Sequence, residues 1–180
     1  MKNPSPENQP AIDHILSLYQ SQLGKYAERY RNHAWRVYLL ALSFHPDATE
    51  VDKTKLAVAA AFHDLGIWTH HTFDYLKPSI ELARGYLAQN GLETQADEVA
   101  LLIDNHHKLT PYRHNPWVES FRRADLIDLS LNVFRFGVKG NYLRQLRREY
   151  PYLGFHRFIL GQIIKNSLLH PLRPLPILKR

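Results

Sequence analysis

The chain has 180 residues, of which 44% are hydrophobic and 22% charged, the profile of an ordinary globular protein of one domain. It contains no cysteine, so disulfides, thiolate metal sites and cysteine nucleophiles are excluded, and any metal site must use histidine and carboxylate side chains. The formal net charge of +6 favours anionic small molecules, nucleotides or RNA as partners.

The two ends of the chain are expected to lie outside the folded domain. Residues 1–10 are polar and proline-rich, without the apolar stretch of a secretory signal, and predict a disordered or extended leader. Residues 171–180 contain three prolines and predict an extended tail. No stretch approaches the roughly 18 consecutive apolar residues that a membrane span needs. We therefore expect a cytoplasmic protein without membrane contact, folded over residues 11–170.

Helical periodicity dominates residues 11–170, and strand-like alternation is almost absent. We predict helices over residues 11–23, 25–44, 50–64, 78–89, 93–107, from about 117 to at least 128, 141–150 and 155–169. Gly66 is predicted to terminate the third of these helices, and Asn90-Gly91 the fourth. The pattern predicts an all-α fold with a single helical domain.

Four of these segments place histidine or aspartate on the inner face or at the end of a helix. The residues are His33, His63-Asp64, His106-His107 and Asp125. Burying any of them alone is costly, because an unpaired carboxylate or imidazole loses its hydration, and a shared cation removes that cost. Two imidazoles and two carboxylates suit Mn²⁺, Fe²⁺, Co²⁺, Ni²⁺, Mg²⁺ or Zn²⁺. Such an ion can polarise a phosphoryl oxygen and activate a water.

The order His33, His63-Asp64, Asp125 resembles the H…HD…D pattern of the HD-domain superfamily of metal-dependent phosphohydrolases. The segments RNHAWRV, AAAFHDLG and ADLIDL are similar to the family's ligand-bearing helices, and the resemblance covers roughly residues 30–129. It implies an HD-type helical bundle that binds a divalent ion through His33, His63, Asp64 and Asp125. It also implies hydrolysis of a phosphomonoester or a nucleotide.

The resemblance bears on the number of metal ions as well. Two-metal members of the superfamily add two histidines between the HD pair and the last aspartate. His106 matches the second of these, but Asp74-Tyr75-Leu76 stands where the first is expected. We therefore predict one divalent ion and no second metal. His70, His71 and Asp74 are either active-site loop residues or ordinary solvated ones.

Several residues are assigned roles beyond ligation. Asp64 is expected to orient the attacking water, Asp74 to act as general acid or base, and His106 to neutralise developing charge on the phosphate. The candidate substrate-binding residues are His106, His107, Lys108 and Asp128. Asp128 lies one helical turn beyond Asp125, so an alternative role for it is to orient a metal ligand.

Simpler interpretations of the same residues remain open. His33 could be a core histidine bonded to a backbone carbonyl, and His63-Asp64 an ordinary helix end. Asp125 could pair with Arg122 or Arg123. Alternative functions are a non-catalytic module that binds a nucleotide in the same pocket, and a metal-dependent lyase or oxygenase of the same superfamily. RNA binding through the basic late helices is a weaker alternative.

Overall fold

The described residues, 11–172 and 176–178 of a computed structural model, form helices and contain no β-strand. The helices are α1 (Ile12–Leu18), α2 (Gln20–Leu23), α3 (Ala27–Leu42), α4 (Glu50–Phe62), α5 (Gly66–Thr69), α6 (Leu76–Gln89), α7 (Ala96–Asn105), α8 (Pro116–Leu129), α9 (Gly140–Glu149) and α10 (Phe155–Leu169), with 3-10 turns over Gly24–Tyr26 and Glu93–Gln95. The predicted all-α domain is confirmed. The predicted leader 1–10 lies outside the described residues, as do 173–175 and 179–180 of the predicted tail.

Local capping fixes where two functionally important helices begin. At the start of α4 the Thr49 hydroxyl accepts a hydrogen bond from the backbone N–H of Asp52, whose carboxylate accepts one from the Thr49 N–H, both at 3.2 Å. At the start of α8 the Asn115 side chain accepts from two backbone N–H groups, and Pro116 occupies the first helical position. These contacts satisfy N–H groups that have no partner within the helix, so both starts are encoded locally.

The end of α6 is encoded in the same local way. Gly91 has φ +69, a conformation that costs glycine little, and the backbone N–H of Leu92 donates to the carbonyl of Leu87 at 2.9 Å. The predicted stop at Asn90-Gly91 is therefore confirmed.

The prediction that Gly66 terminates a helix was wrong. Helix α4 ends at Phe62, and Gly66 is instead the first residue of the short helix α5, inside the predicted loop. A Cβ atom at this position would lie 2.7 Å from the carbonyl oxygen of Tyr75 and 3.0 Å from the Ser79 hydroxyl. Glycine is thus required by the close approach of α5 to the start of α6, a contact that holds Tyr75 near the end of α4.

One predicted helix is interrupted as well. The segment 11–23 breaks at Tyr19, which has φ −111 and ψ 18, into the separate helices α1 and α2. Periodicity continues through this residue, because Tyr19 packs against the core and its ring lies edge-on to Phe62 at 5.8 Å. A break that keeps the apolar face aligned does not change the spacing of apolar residues in the sequence, so the spacing does not reveal it.

Helix α3 occupies the middle of the bundle and packs against α1, α4, α8 and α10. Helix α4 also contacts α6 and α7, and its centre is rich in alanine: Ala57, Ala59, Ala60 and Ala61 are each at most 1% exposed. The small side chains let neighbouring helices approach on several sides. Helix α8 in turn contacts both α3 and α7. None of the described helices is both long and apolar enough to span a membrane.

Candidate metal centre

Polar side chains from four helical segments meet inside the bundle. They are His33 on α3, His63 and Asp64 at the end of α4, His106 and His107 after α7, and Asp125 on α8. All are at most 2% exposed except His107, whose side chain is 11% exposed. The residues that the sequence singled out as metal ligands are thus neighbours in space.

The first ligand group consists of His33, His63 and Asp64, whose ligand atoms all lie within 4.8 Å of one another. The two Nε2 atoms are 2.9 Å apart. Asp64 Oδ2 lies 3.7 Å from Nε2 of His33 and 3.5 Å from Nε2 of His63. Asp125 Oδ1 approaches Nε2 of His33 to 3.5 Å. One cation can therefore be reached by two imidazoles and two carboxylates.

A second ligand group shares Asp64 with the first. The ligand atoms of Asp64, His106 and His107 also lie within 4.8 Å of one another. Asp64 Oδ1 is 3.4 Å from Nε2 of His106, and Asp125 Oδ2 is 3.3 Å from Nδ1 of His107. Asp64 thus turns one oxygen toward each group. Both groups have spacing suited to an ion, so the expectation of a single ion stays a prediction.

Unpaired atoms in the cluster indicate that it fits a cation. Asp64 Oδ1, His106 Nε2 and Asp125 Oδ1 are buried, and among the described residues none of them makes a hydrogen bond of good geometry, the first two lying 3.4 Å apart. Buried polar atoms are nearly always paired, because otherwise the lost hydration is not replaced. A divalent ion would coordinate these oxygen and nitrogen atoms and balance the charge of two buried carboxylates.

Contacts on the opposite side of each imidazole ring direct its Nε2 atom into the cluster. Nδ1 of His63 lies 2.9 Å from the carbonyl oxygen of Ala60, and Nδ1 of His106 lies 2.6 Å from that of Ile103. A carbonyl only accepts hydrogen bonds, so each Nδ1 carries a proton and donates it. In the neutral ring the Nε2 lone pair is then left to bind a metal.

The electrostatics of the cluster favour a neutral ring at His63 and ionised carboxylates at Asp64 and Asp125, whereas they shift His106 toward its protonated form. Burial lowers the pKa of His63 to about 4, so its ring is neutral near pH 7. Burial raises the pKa of Asp64, but His63 and His106 outweigh this effect and bring the net pKa well below its ordinary value. Asp125 follows the same pattern. For His106, burial lowers the pKa, and the neighbouring carboxylates reverse the direction and raise it. Neutral imidazole and ionised carboxylate are the forms that bind metals.

Asp128 lies behind His33 rather than facing the cluster. Its carboxylate accepts hydrogen bonds from Arg36 Nε at 2.6 Å and Nη2 at 2.8 Å, and its Oδ2 lies 2.7 Å from Nδ1 of His33. Burial raises the pKa of Asp128, but Arg36 outweighs it and holds that pKa far below the usual range. These contacts support the alternative in which Asp128 orients His33, although Asp128 was also proposed to bind substrate.

The remaining predicted site residues are placed differently. Asp74 is exposed before α6, where its backbone N–H donates to the Thr72 hydroxyl, and it belongs to neither ligand group. Its role as general acid or base stays a prediction, as does a phosphate contact of half-buried Lys108. His70 is exposed and lies 2.9 Å from the Thr69 hydroxyl. His71 is likewise exposed.

The alternative partners of Asp125 are occupied elsewhere. Arg122 donates two hydrogen bonds of 2.8 Å to Glu119, and Arg123 donates one of 2.6 Å to the same carboxylate. Asp125 therefore faces the cluster without either arginine.

Three residues of the site were not identified from the sequence. The Tyr75 hydroxyl lies 2.8 Å from Nε2 of His107, and Arg36 holds Asp128. Phe155 stacks on His33 with ring centroids 4.1 Å apart. A signal existed for Arg36, which lies one turn after His33 on the same helix, and for Tyr75, at the position where a histidine was expected. Phe155 had none, because its contact joins two distant helices.

Comparison with known proteins agrees with this geometry. The sequence model of the HD domain matches residues 30–136, which is more than half of the chain and includes all members of the cluster. Neither a curated protein nor a solved structure gives a significant match.

Proposed function

Since the chain belongs to the HD-domain family, a superfamily of metal-dependent hydrolases, we propose that it hydrolyses a phosphomonoester or a nucleotide. The observation that carries the proposal is the cluster of His33, His63, Asp64 and Asp125, in which one oxygen of each carboxylate has no hydrogen-bond partner among the described residues. Such a set of donors is suited to a divalent ion. Phosphate esters suit such an ion as substrates, because it binds their negative oxygens and activates the phosphorus toward attack by water.

In the proposed mechanism His33, His63, Asp64 and Asp125 would hold a divalent ion, and such an ion would supply polarisation of a phosphoryl oxygen and activation of a water. Asp64 turns Oδ1 away from His33 and His63, so this oxygen can accept a hydrogen bond from the water and orient it. His106, whose pKa is raised, can carry a proton that neutralises charge developing on the phosphate.

Access to the centre is proposed to lie beside His107. It is the most exposed member of the cluster, at 11% of its side chain, whereas Phe155 covers His33 from the side of α10. A substrate entering there meets His107 first. The proposed role of Asp74 as general acid or base requires the loop before α6 to bring its exposed carboxylate inward.

The test is metal analysis of the purified protein, followed by a screen of phosphate esters with wild type and Asp64→Asn. This substitution keeps the size of the side chain and removes its charge, so we expect turnover to fall roughly 100-fold or more. Asp97→Asn is the matched control, because the Asp97 side chain is 91% exposed and lies outside the cluster. Absence of both bound metal and Asp64-dependent turnover would refute the proposal.

Three other outcomes would favour the alternative functions. Metal and nucleotide binding without turnover of any ester would support a non-catalytic nucleotide-binding module. Consumption of oxygen by the iron-loaded protein would support an oxygenase of the same superfamily. RNA binding that weakens with salt and survives Asp64→Asn would support the RNA-associated alternative.

A further inference from the structure

A groove of about 460 Å³ lies outside the metal centre, lined by the turn Gly24–Tyr26, by α5 with the loop after it, and by α10. No member of the metal cluster is among its lining residues. The volume is in the range of about 300–1,000 Å³ typical of sites for small organic ligands. The groove therefore has room for a ligand of its own.

The charged side chains that line the groove are cationic. Lys25 lines one wall and Lys165 on α10 lines another, and His71 contributes an imidazole. No aspartate or glutamate is among the lining residues in the described part of the chain. A concave surface with cationic and hydrogen-bonding groups and no carboxylate attracts anions, and phosphate is one of the anions that lysine side chains bind in proteins.

The same groove has an aromatic wall. The rings of Tyr26 and Phe158 lie with centroids 4.6 Å apart, and Phe158 stacks on Trp68 at 5.3 Å with an angle of 14° between the rings. The Lys25 ammonium group lies 5.4 Å from the Tyr26 ring. Flat aromatic surfaces next to cationic groups bind ligands that combine a planar ring with a negative charge.

The loop that carries His71 is held in an unusual conformation. His71 has φ +51, a backbone angle that residues other than glycine seldom adopt, and it lines the groove together with Trp68 and Phe73. Strain of this kind is retained where the surrounding structure requires it, frequently at ligand sites. It is an observation independent of the charge and of the aromatic wall.

We propose that this groove binds an organic phosphate carrying a planar ring, of the size of a nucleoside monophosphate, separately from the metal centre. The phosphate contacts Lys25 and Lys165, and the ring packs against the accessible parts of the half-buried Tyr26 and Phe158. The proposal does not require hydrolysis, and it therefore stands apart from the proposed function.

The groove is connected to the metal centre through Trp68. The Trp68 ring lies 4.6 Å from that of Tyr30. The Tyr30 hydroxyl donates to the carbonyl of Ala61 at 2.9 Å and accepts from the backbone N–H of Asp64 at 3.2 Å. Trp68 and Tyr30 thus join the groove to the backbone of a metal ligand through direct contacts.

The test measures binding of AMP and CMP by calorimetry to wild-type protein in EDTA, with adenosine and inorganic phosphate as partial ligands. We expect the nucleotides to bind more tightly than either part. The double variant Lys25→Ala/Lys165→Ala should bind them roughly tenfold more weakly or worse. Lys53→Ala/Lys77→Ala is the matched control: it removes the same charge at exposed positions outside the groove and should bind like wild type.

Three outcomes would overturn the proposal. Nucleotide binding that needs divalent metal, or that Asp64→Asn abolishes, would place the ligand at the metal centre. Equal weakening in the two double variants would indicate non-specific attraction to a basic protein. Failure of every probe to bind at millimolar concentration would show that the groove does not bind this class of ligand. Nucleotide binding in EDTA, together with no turnover when metal is added, would support the groove site and refute hydrolysis. Failure of the groove proposal and failure of the proposed function are therefore distinguishable.

Discussion

Arg36 donates two hydrogen bonds to Asp128 directly behind the predicted metal ligand His33. Nε donates to Oδ1 at 2.6 Å and Nη2 donates to Oδ2 at 2.8 Å, and both residues are 1% exposed. Nη1 of Arg36 also donates to the carbonyl of Tyr150 at 2.8 Å. Because both charges are buried, each needs the other to compensate its lost hydration. The Arg36–Asp128 pair in turn fixes the orientation of the His33 ring.

Replacement of Arg36 is expected to cost much of the stability of the fold. Arg36→Met leaves the Asp128 carboxylate buried without its cation, and we expect a loss of about 3–5 kcal/mol in the free energy of unfolding. The measurement is urea denaturation. Arg36→Met/Asp128→Leu should recover part of the loss, since no unpaired charge remains. A cost below about 1 kcal/mol for the single variant would argue against this account.

Asp128→Asn is expected to weaken metal binding while leaving the metal ligands themselves intact. The amide keeps an oxygen for the Nδ1–H of His33 but removes the negative charge that fixes the ring. Substitutions of this kind typically reduce metal affinity by about 10–100-fold. Competition with a chelator measures the change. Asp97→Asn, at an exposed carboxylate, is the control, and equal affinity of Asp128→Asn and wild type would contradict the role of Asp128 in orienting His33.

Tyr75 is expected to limit the number of metal ions. Its hydroxyl lies 2.8 Å from Nε2 of His107, a member of the second ligand group. We expect wild type to contain one divalent ion per chain and Tyr75→His to contain two, because a third imidazole would join His106 and His107. Elemental analysis after dialysis gives the count. Tyr86→Phe, in α6 and outside both ligand groups, is the control, and two ions in wild type would contradict the prediction.

Glu119 is expected to stabilise the fold in a pH-dependent way. It accepts hydrogen bonds from Arg122, Arg123 and the backbone N–H of Tyr112. Burial raises its pKa, but these contacts prevail and lower it from 4.5 to about 2. The contribution is therefore complete above pH 4.5 and is lost as the pH falls toward 2.

The variant Glu119→Gln tests this contribution. We expect it to unfold about 1–3 kcal/mol more easily than wild type at pH 7, with the difference shrinking between pH 4.5 and the most acidic pH at which the protein folds. Denaturation at several pH values measures it. Glu81→Gln, at a side chain 62% exposed, should show no such dependence. A difference that does not change with pH would indicate lost packing rather than lost charge.

The features predicted correctly from the sequence are those that local chemistry encodes. Helical periodicity predicted the fold class, because apolar spacing along one helix reports which face is buried. The stop at Gly91 and the start after Thr49 depend on neighbours a few residues away, so both were predictable. The ordered pattern of His33, His63-Asp64 and Asp125 likewise identified the family before any geometry was known.

What these residues face follows from the packing between helices and could not be read from their spacing. Gly66 was misinterpreted because glycine is required there by a contact with Tyr75 and Ser79, which lie across a loop and not along the same helix. The partners of His33, which are Asp128 on one side and Phe155 on another, come from segments more than 90 residues away in the chain. Spacing along a helix says which side of it is buried, but the choice among buried partners is made by packing between helices, and a single sequence carries no local record of that choice.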